Sequence, residues 1–555
     1  MRRFLSWLGT SVFLVVFFFY PLLRILWIGL TVKADQGGLS QAFGLIGSTA
    51  WFTFYQACLS TLLTLLVGLP GAYLFSHYEF RGKRTLNAIT AVPFMLPTVV
   101  VAAGFNALLG PRGWFNVLLM NLFHLQIAPI NFVHTLGAIL LAHVFYNTTI
   151  VLKLVGNAWS QLDPRLGQSA ATLGANPKRV FCKVTFPVLR PAILAAAMLV
   201  FLFDFTSFGV ILLLGGPRFA TLEVEIFIQS LQMLNLPLAA ILSIVQIIFT
   251  LVFSILYSRL VTRSIAPARP VMNIPEKATK WSERVFVGGL LVIITALFIL
   301  PMVSLPFRSL IRFDPAMGQR VSQAVSFTLD YYRELFVNRS GSLFYVPPIL
   351  ALRNSFGYAC ITMLISLVLG FPVASLLAHP GKMERALDPF LMLPLGASAV
   401  TLGLGYIITF NQHPLFFLRS PWLVPIAHSV IALPFVIRSL QPALASIPPE
   451  YRMAAAVMGA DPPRAWFAVV WPLISRATLA AGTFAFTISL GEFGATSLLA
   501  RPEYPTLPLA IYRFLSQPGG LNYGQAMAMA SLLMLFTTLA ILLFDRLRLP
   551  GTNYF

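Results

Sequence analysis

Two acids stand inside long apolar runs. Asp204 lies in FLFDFTSFG and Glu492 in ISLGEFGAT. Hydrocarbon makes an ionised side chain costly, so an acid at membrane depth is a functional candidate by default. Such a carboxylate can bind a cation, relay a proton or accept hydrogen bonds from neighbouring helices. Two readings therefore stand for Asp204 and Glu492: contact with a cationic substrate, or satisfaction by helix–helix hydrogen bonds. His143 and His428 are further polar candidates, and Asn147 lies about one helical turn after His143. A hydrogen bond between helices is the first expectation for the histidines, ahead of substrate contact or metal binding. The chain has no Ser-His-Asp pattern, no HExxH and no CxxC. Its three cysteines, Cys58, Cys182 and Cys360, have neither metal-ligand nor disulfide-framework spacing. No catalytic residue and no metal site is assigned.

The elements that position these groups are duplicated apolar spans. The chain has 555 residues, 58% of them hydrophobic and 10% charged, against about 25% charged in a soluble domain. Mean hydropathy is +0.81. This composition is that of a polytopic membrane protein. The net charge of +20 comes from Lys and Arg between the spans, which marks cytoplasmic loops rather than a nucleic-acid surface. Residues 168–187 read QSAATLGANPKRVFCKVTFP, and residues 453–472, 285 positions later, read MAAAVMGADPPRAWFAVVWP. The same register pairs His143 with His428, Lys153 with Arg438, Asp204 with Ser489 and Ser207 with Glu492. The two acids are thus offset by three positions on pseudo-equivalent helices, which lets them meet near a pseudo-symmetry axis. An earlier block repeats at an offset of 302: Ala57-Cys58, Gly68 and Pro70 match Ala359-Cys360, Gly370 and Pro372.

An internal repeat of this size predicts an all-α polytopic fold of about 12 transmembrane helices in two six-helix halves. The first half covers residues 1–262 and the second 285–555, joined by a basic, Pro-bearing cytoplasmic linker at 263–284. Spans are expected near 4–30, 50–76, 88–109, 135–158, 188–214 and 237–260. In the second half they fall near 285–306, 352–378, 388–410, 421–441, 473–499 and 523–545. Residues 33–49, 110–134, 308–350 and 500–522 are outer loops, with a short interfacial helix at 329–336. Pro93 and Pro97 predict a bend in the third span, read first as a static packing bend and alternatively as a helix that bends during gating. Both termini are expected in the cytoplasm, and the first span is read as an uncleaved anchor.

The duplicated loops, 162–187 and 447–472, carry their own logic. Ala170, Ala171, Ala454 and Ala455 permit close approach of another helix. Gly174 and Gly459 suit a left-handed helix end. Asn176-Pro177 and Asp461-Pro462-Pro463 then suit the cap and first turn of a new helix, and Pro187 and Pro472 are expected where the chain re-enters the membrane. This pattern resembles the EAA loop of ABC-importer permeases, which reads E-A-A, three residues, G, nine residues, I-x-L-P. Here the first copy offers Gln168, Ser169, Ala170, Gly174 and Pro187, and the second Met453, Ala454, Ala455, Gly459 and Pro472. The acidic first position is missing from both.

The resemblance implies the type I permease fold and coupling helices that dock on separate ATP-binding subunits, two copies on the cytoplasmic side. It also implies an extracytoplasmic solute-binding protein docking on 308–350 and 500–522, and a multi-pass place in the lipid of the plasma (inner) membrane. The chain has no GxxxxGK[ST] loop, so ATP and magnesium belong to the partner ATPase, and this chain is expected to bind no cofactor and hydrolyse nothing. The segments LLAHVFYNTTIVLKL, FTSFGVILLLGGP, SLGEFG and TLPLAIYRFL look like thiamine permeases, with ferric-iron permeases as close relatives. They imply thiamine or ferric iron as cargo. The alternative is a twelve-helix secondary transporter driven by an ion gradient, which uses intramembrane acids but does not need the duplicated loop.

Overall fold

A segment in hydrocarbon must pair its own peptide groups, so the apolar runs fold as helices. The computed structural model describes residues 2–31, 36–125, 127–264, 277–311, 327–338, 346–411 and 417–547. Among these, ten helices are long and apolar enough to cross a membrane, or twelve when each of two bent pairs is counted as one span. In the first half they are α1 (Trp7–Thr31), α2 (Phe43–His77), α3 (Lys83–Met95 with Thr98–Phe123), α4 (Leu136–Ser160), α5 (Pro177–Phe205) and α6 (Leu236–Tyr257). In the second they are α7 (Trp281–Ser309), α8 (Ile349–Leu377), α9 (Lys382–Gly396 with Ala399–Phe410), α10 (Leu423–Ala445), α11 (Pro462–Gly491) and α12 (Gly520–Leu543).

Burial ranks the helices alike in both halves at the extremes. The most apolar stretches of α4 and α10 are each 72% buried, and those of α1 and α7 only 22%. The first pair is central and the second faces lipid. Close backbone approach builds the centre. A Cβ on Gly68 of α2 would stand 2.6 Å from the Val151 side chain of α4. The repeat mates do the same: Gly370 of α8 faces Val436 of α10 at 3.0 Å. Small residues at such crossings let helices pack without a hydrophobic driving force.

The peripheral helices are exchanged between halves. In α1, Thr10 Oγ1 donates to the Leu369 carbonyl of α8 at 2.8 Å, and Pro21 packs on Gly405 of α9. In α7, Pro301 packs on Gly104 of α3, and Ser304 Oγ donates to the Gly104 carbonyl at 3.1 Å. Each half thus holds the other's first helix.

The structure corrects several sequence boundaries. Residues 36–49 are not loop, because the helix that contains α2 begins at Gln36. The third and ninth spans are not single bent rods. Their parts meet at 111° and 95°. In α3, Pro97 forces Leu96 into extended backbone (ψ 142°) and the helix restarts at Thr98. In α9, Ala397 is extended and Ser398 caps the restart by accepting from the Thr401 N–H at 3.1 Å. The fifth and eleventh spans end early, at Phe205 and Gly491, and short helices Gly209–Leu214 and Gly494–Leu499 follow. The outer segments 110–134 and 500–522 contain helices Trp114–Phe123 and Leu507–Ser516. The short helix expected at 329–336 is present as Asp330–Arg333 and a following 3-10 turn. Residues 265–276 of the linker, 312–326 and 339–345 of the long outer loop, and the tail beyond 547 lie outside the described residues.

Candidate functional site

The two histidines occupy matching places on α4 and α10, and each bridges the same two register positions of the following span. His143 Nδ1 lies 3.3 Å from Asp204 Oδ1, and its Nε2 lies 2.9 Å from Ser207 Oγ. His428 Nδ1 lies 2.7 Å from Ser489 Oγ, and its Nε2 lies 3.1 Å from Glu492 Oε2. Position 204/489 therefore meets Nδ1 and position 207/492 meets Nε2 in both halves, with acid and serine exchanged. A third member is duplicated as well. Ser60 Oγ stands 2.9 Å from His143 Nδ1, and its mate Thr362 accepts from Ser489 Oγ at 3.2 Å. About two turns earlier, the hydroxyls of Thr53 and Ser355 accept the N–H groups of Leu222 and Leu507 at 2.9 and 2.7 Å.

The two carboxylates differ in how completely they are satisfied. Glu492 accepts from the Ala495 N–H at 2.8 Å, the Thr496 N–H at 3.0 Å and the Thr496 hydroxyl at 2.8 Å. It caps the short helix Gly494–Leu499, where a negative charge also suits the helix dipole. Asp204 Oδ1 accepts from Asn147 Nδ2 at 2.7 Å, while Oδ2 has no hydrogen-bond partner among the described residues. Asp204 is 0% exposed. A buried carboxylate oxygen left open is costly unless a ligand completes it.

Both acids line one cavity of about 370 Å³. Its wall is built from the break in α3, from α4 and α5, and from α10 and α11, so both halves contribute. The lining is mainly aromatic and apolar, with Phe94, Tyr146, Phe203, Phe435 and Phe484 among it. Phe208 and Phe493, repeat mates, stack across the junction with centroids 5.4 Å apart and an interplanar angle of 25°. His143 and Asn147 line the cavity, whereas His428 and Ser489 are not among its lining residues. Asp204 and Glu492 thus face one space without bonding each other. An aromatic-walled pocket lined by carboxylates suits a flat cation, which both the charge and the ring faces attract.

Sequence reading missed Glu223 and the break residues. Glu223 is 1% exposed and lines the same cavity. Its Oε1 accepts from Gln246 Nε2 and its Oε2 from Ser398 Oγ, both at 2.5 Å. The second contact ties the first half to the break in α9. The available signal was an acid directly after the register pair Thr221-Leu222, where the second copy has Pro508.

The duplicated loops fold alike. Helices Pro164–Thr172 and Pro449–Val457 hold Gln168, Ala170, Ala171, Ala454 and Ala455. Gly174 and Gly459 follow with φ of +83° and +84°, left-handed values that suit glycine alone among common residues. Asn176 and Asp461 then cap the next helices, accepting from the N–H groups of Arg179 and Arg464 at 2.8 and 3.2 Å. Leu173 and its mate Met458 project beside the glycines, 88% and 81% exposed, with Val457 at 88%. Pro187 and Pro472 lie within continuous helices rather than at a helix start. They sit inside α5 and α11, each just after a π turn, Phe181–Thr185 and Trp466–Val470. The N–H groups of Phe186 and Trp471 reach back five residues there, which accommodates a proline that cannot donate. At this end of the helices Lys153 Nζ donates to Asn87 Oδ1, and its mate Arg438 pairs with Asp388, both at 2.9 Å.

Residues 65–265 match the family model of the binding-protein-dependent transport system inner membrane component. The chain is 26% identical to the thiamine transport system permease protein of Haemophilus influenzae, over 90% of this chain and 91% of that one. It is 26% identical to the thiamine transport system permease protein of Brucella abortus (strain 2308), over 94% and 91%. A probable ABC transporter permease protein of Sinorhizobium fredii is 25% identical, over 91% and 89%.

Proposed function

We propose that this chain, which belongs to the fused two-half permeases of binding-protein-dependent ABC importers, carries thiamine through the cavity between its halves. The likeness to those permeases supports a multi-pass inner-membrane subunit that works with a solute-binding protein and an ATPase. The observation that carries the substrate reading is an aromatic-walled cavity lined by Asp204, a carboxylate whose Oδ2 has no hydrogen-bond partner among the described residues. Thiamine has a cationic thiazolium ring and a flat aminopyrimidine. The carboxylate complements its charge, and Phe94, Phe203, Phe435 and Phe484 complement its ring faces. The relatives named for thiamine transport support the same cargo. A ferric ion fits less well. It demands several hard oxygen donors at once, and no group of three or more potential ligand side chains converges among the described residues.

In this reading the loops 162–187 and 447–472 are the coupling elements. Leu173, Val457 and Met458 hold apolar surface out in water, which fits grooves on two ATPase subunits, one under each half. ATP and magnesium act on those partners, and this chain binds neither. Ala170, Ala171, Ala454 and Ala455 set the closeness of docking, and Gly174 and Gly459 set the turn that presents the apolar tips. Both termini lie on this cytoplasmic side. The solute-binding protein delivers thiamine to the opposite face. Closing the ATPase dimer moves the two loops together, and the cavity alternates between faces as α3 and α9 swing at their breaks.

The test is uptake of labelled thiamine by cells expressing the chain with its ATPase and binding protein. Uptake is expected to follow ATP, to survive collapse of the ion gradient, and to vanish in Gly174→Asp with Gly459→Asp, which also releases the co-purifying ATPase. Uptake that follows the ion gradient, with no ATPase retained by the wild type, overturns the coupling reading in favour of a secondary transporter.

A further inference from the structure

A second cleft, of about 620 Å³, lies away from the pathway, between the turn after α2 and the start of α7. It joins the two halves at one end of the molecule. Three cations line it: Arg81, Lys277 and Arg284. All three are exposed. Glu79, the acid at the rim, is engaged by Lys83 at 3.3 Å, and no ion pair to Arg81, Lys277 or Arg284 occurs among the described residues. Arg284 Nε donates to the Ala278 carbonyl at 3.4 Å, which holds the guanidinium while leaving its terminal nitrogens for a ligand.

The floor of the cleft is different in kind. Val287, Gly288 and Leu291 of α7 form it. A Cβ at Gly288 would meet nothing within 4 Å, so the apolar face of the helix is open there. Trp281, 79% exposed, stands at the first turn of α7, where an indole marks the membrane–water boundary. Cations thus sit at headgroup depth, and an open apolar face leads from them toward the hydrocarbon. A free anion would use only the cations. A phosphodiester with acyl chains would use both parts.

We propose that this cleft binds the headgroup of an anionic glycerophospholipid, with one acyl chain lying along Gly288, and so fastens the two halves together. Each surface cation contributes about 1 kcal/mol toward an anionic lipid. Neutralising three therefore lowers the preference on the order of 100-fold.

The experiment reconstitutes the full chain in nanodiscs of phosphatidylcholine, with and without phosphatidylglycerol. It measures retained lipid by native mass spectrometry and the thermal midpoint of unfolding. Phosphatidylglycerol is expected to be retained and to raise the midpoint of the wild type. The variant Arg81→Gln/Lys277→Gln/Arg284→Gln should lose that rise while matching wild type in phosphatidylcholine alone. Gly288→Leu keeps every charge and covers that face, and it should also lose retained phosphatidylglycerol. An equal rise in wild type and the triple variant overturns the site. A rise reproduced by inorganic phosphate in phosphatidylcholine discs, or unaffected by Gly288→Leu, shows a small-anion site and overturns the lipid assignment.

Discussion

The two halves build the same histidine network and use it differently. In the first, His143 holds an aspartate whose second oxygen has no hydrogen-bond partner among the described residues. In the second, His428 holds a glutamate whose oxygens cap the helix that follows. Moving the acid by three positions, about one turn, leaves one carboxylate oxygen unbonded in the first half and makes the acid a helix cap in the second. His143 lines the cavity and His428 does not, so the cavity is asymmetric although the scaffold is duplicated. Gene-fusion symmetry of the backbone does not impose symmetry on the chemistry, because one helical turn changes which side chain reaches the axis.

The sharpest way to break this comparison is Asp204→Asn, which keeps shape and removes charge. Thiamine uptake per transporter is expected to fall about 100-fold, the scale of a lost buried charge contact, while the protein still folds and retains its ATPase. An unchanged uptake constant would leave Asp204 without a role in the pathway. The exchange Asp204→Ser with Ser489→Asp moves the acid to the matching place in the second half. Uptake should stay as low as in Asp204→Asn, because position 489 is not part of the cavity lining. Recovery of transport would make the halves equivalent.

Smaller effects sharpen the contrast. Gly68→Ala should lower unfolding stability by about 2 kcal/mol and Gly370→Ala by about 1 kcal/mol or less. A new Cβ meets Val151 at 2.6 Å in the first half but Val436 at 3.0 Å in the second. Equal melting points for the two variants would contradict that difference. Glu492→Gln should cost about 1 kcal/mol of stability through the weakened cap and change the thiamine uptake constant only a few-fold. A loss as large as that of Asp204→Asn would mean that both carboxylates serve the substrate.

Much of this was legible in residue types and spacing. The offset of 285 residues placed His143 opposite His428 and Gly174 opposite Gly459, and the left-handed turns and their Asn176 and Asp461 caps follow local chemistry that any such segment obeys. The breaks in α3 and α9 were harder to read. Pro97 signals a bend, but a restart at 111° needs neighbours to satisfy the freed peptide groups, as Tyr146 does by donating to the Leu96 carbonyl at 3.0 Å. At Pro187 and Pro472 the opposite happened. A π turn absorbed each proline and the helix ran on.

By itself the sequence determined the class, the duplication and the local geometry of the loops. Hydrophobic runs must be helices in hydrocarbon, and glycine, proline and capping residues act within a few positions of themselves. The tertiary structure alone decided which half each first helix packs on, that Glu223 joins the cavity through Ser398, and that one oxygen of Asp204 is left open. Those outcomes depend on contacts between residues far apart in the chain, such as Thr10 with Leu369 and Glu223 with Ser398. The physical reason is that a side chain's free hydrogen-bonding capacity is what remains after its distant neighbours have been counted.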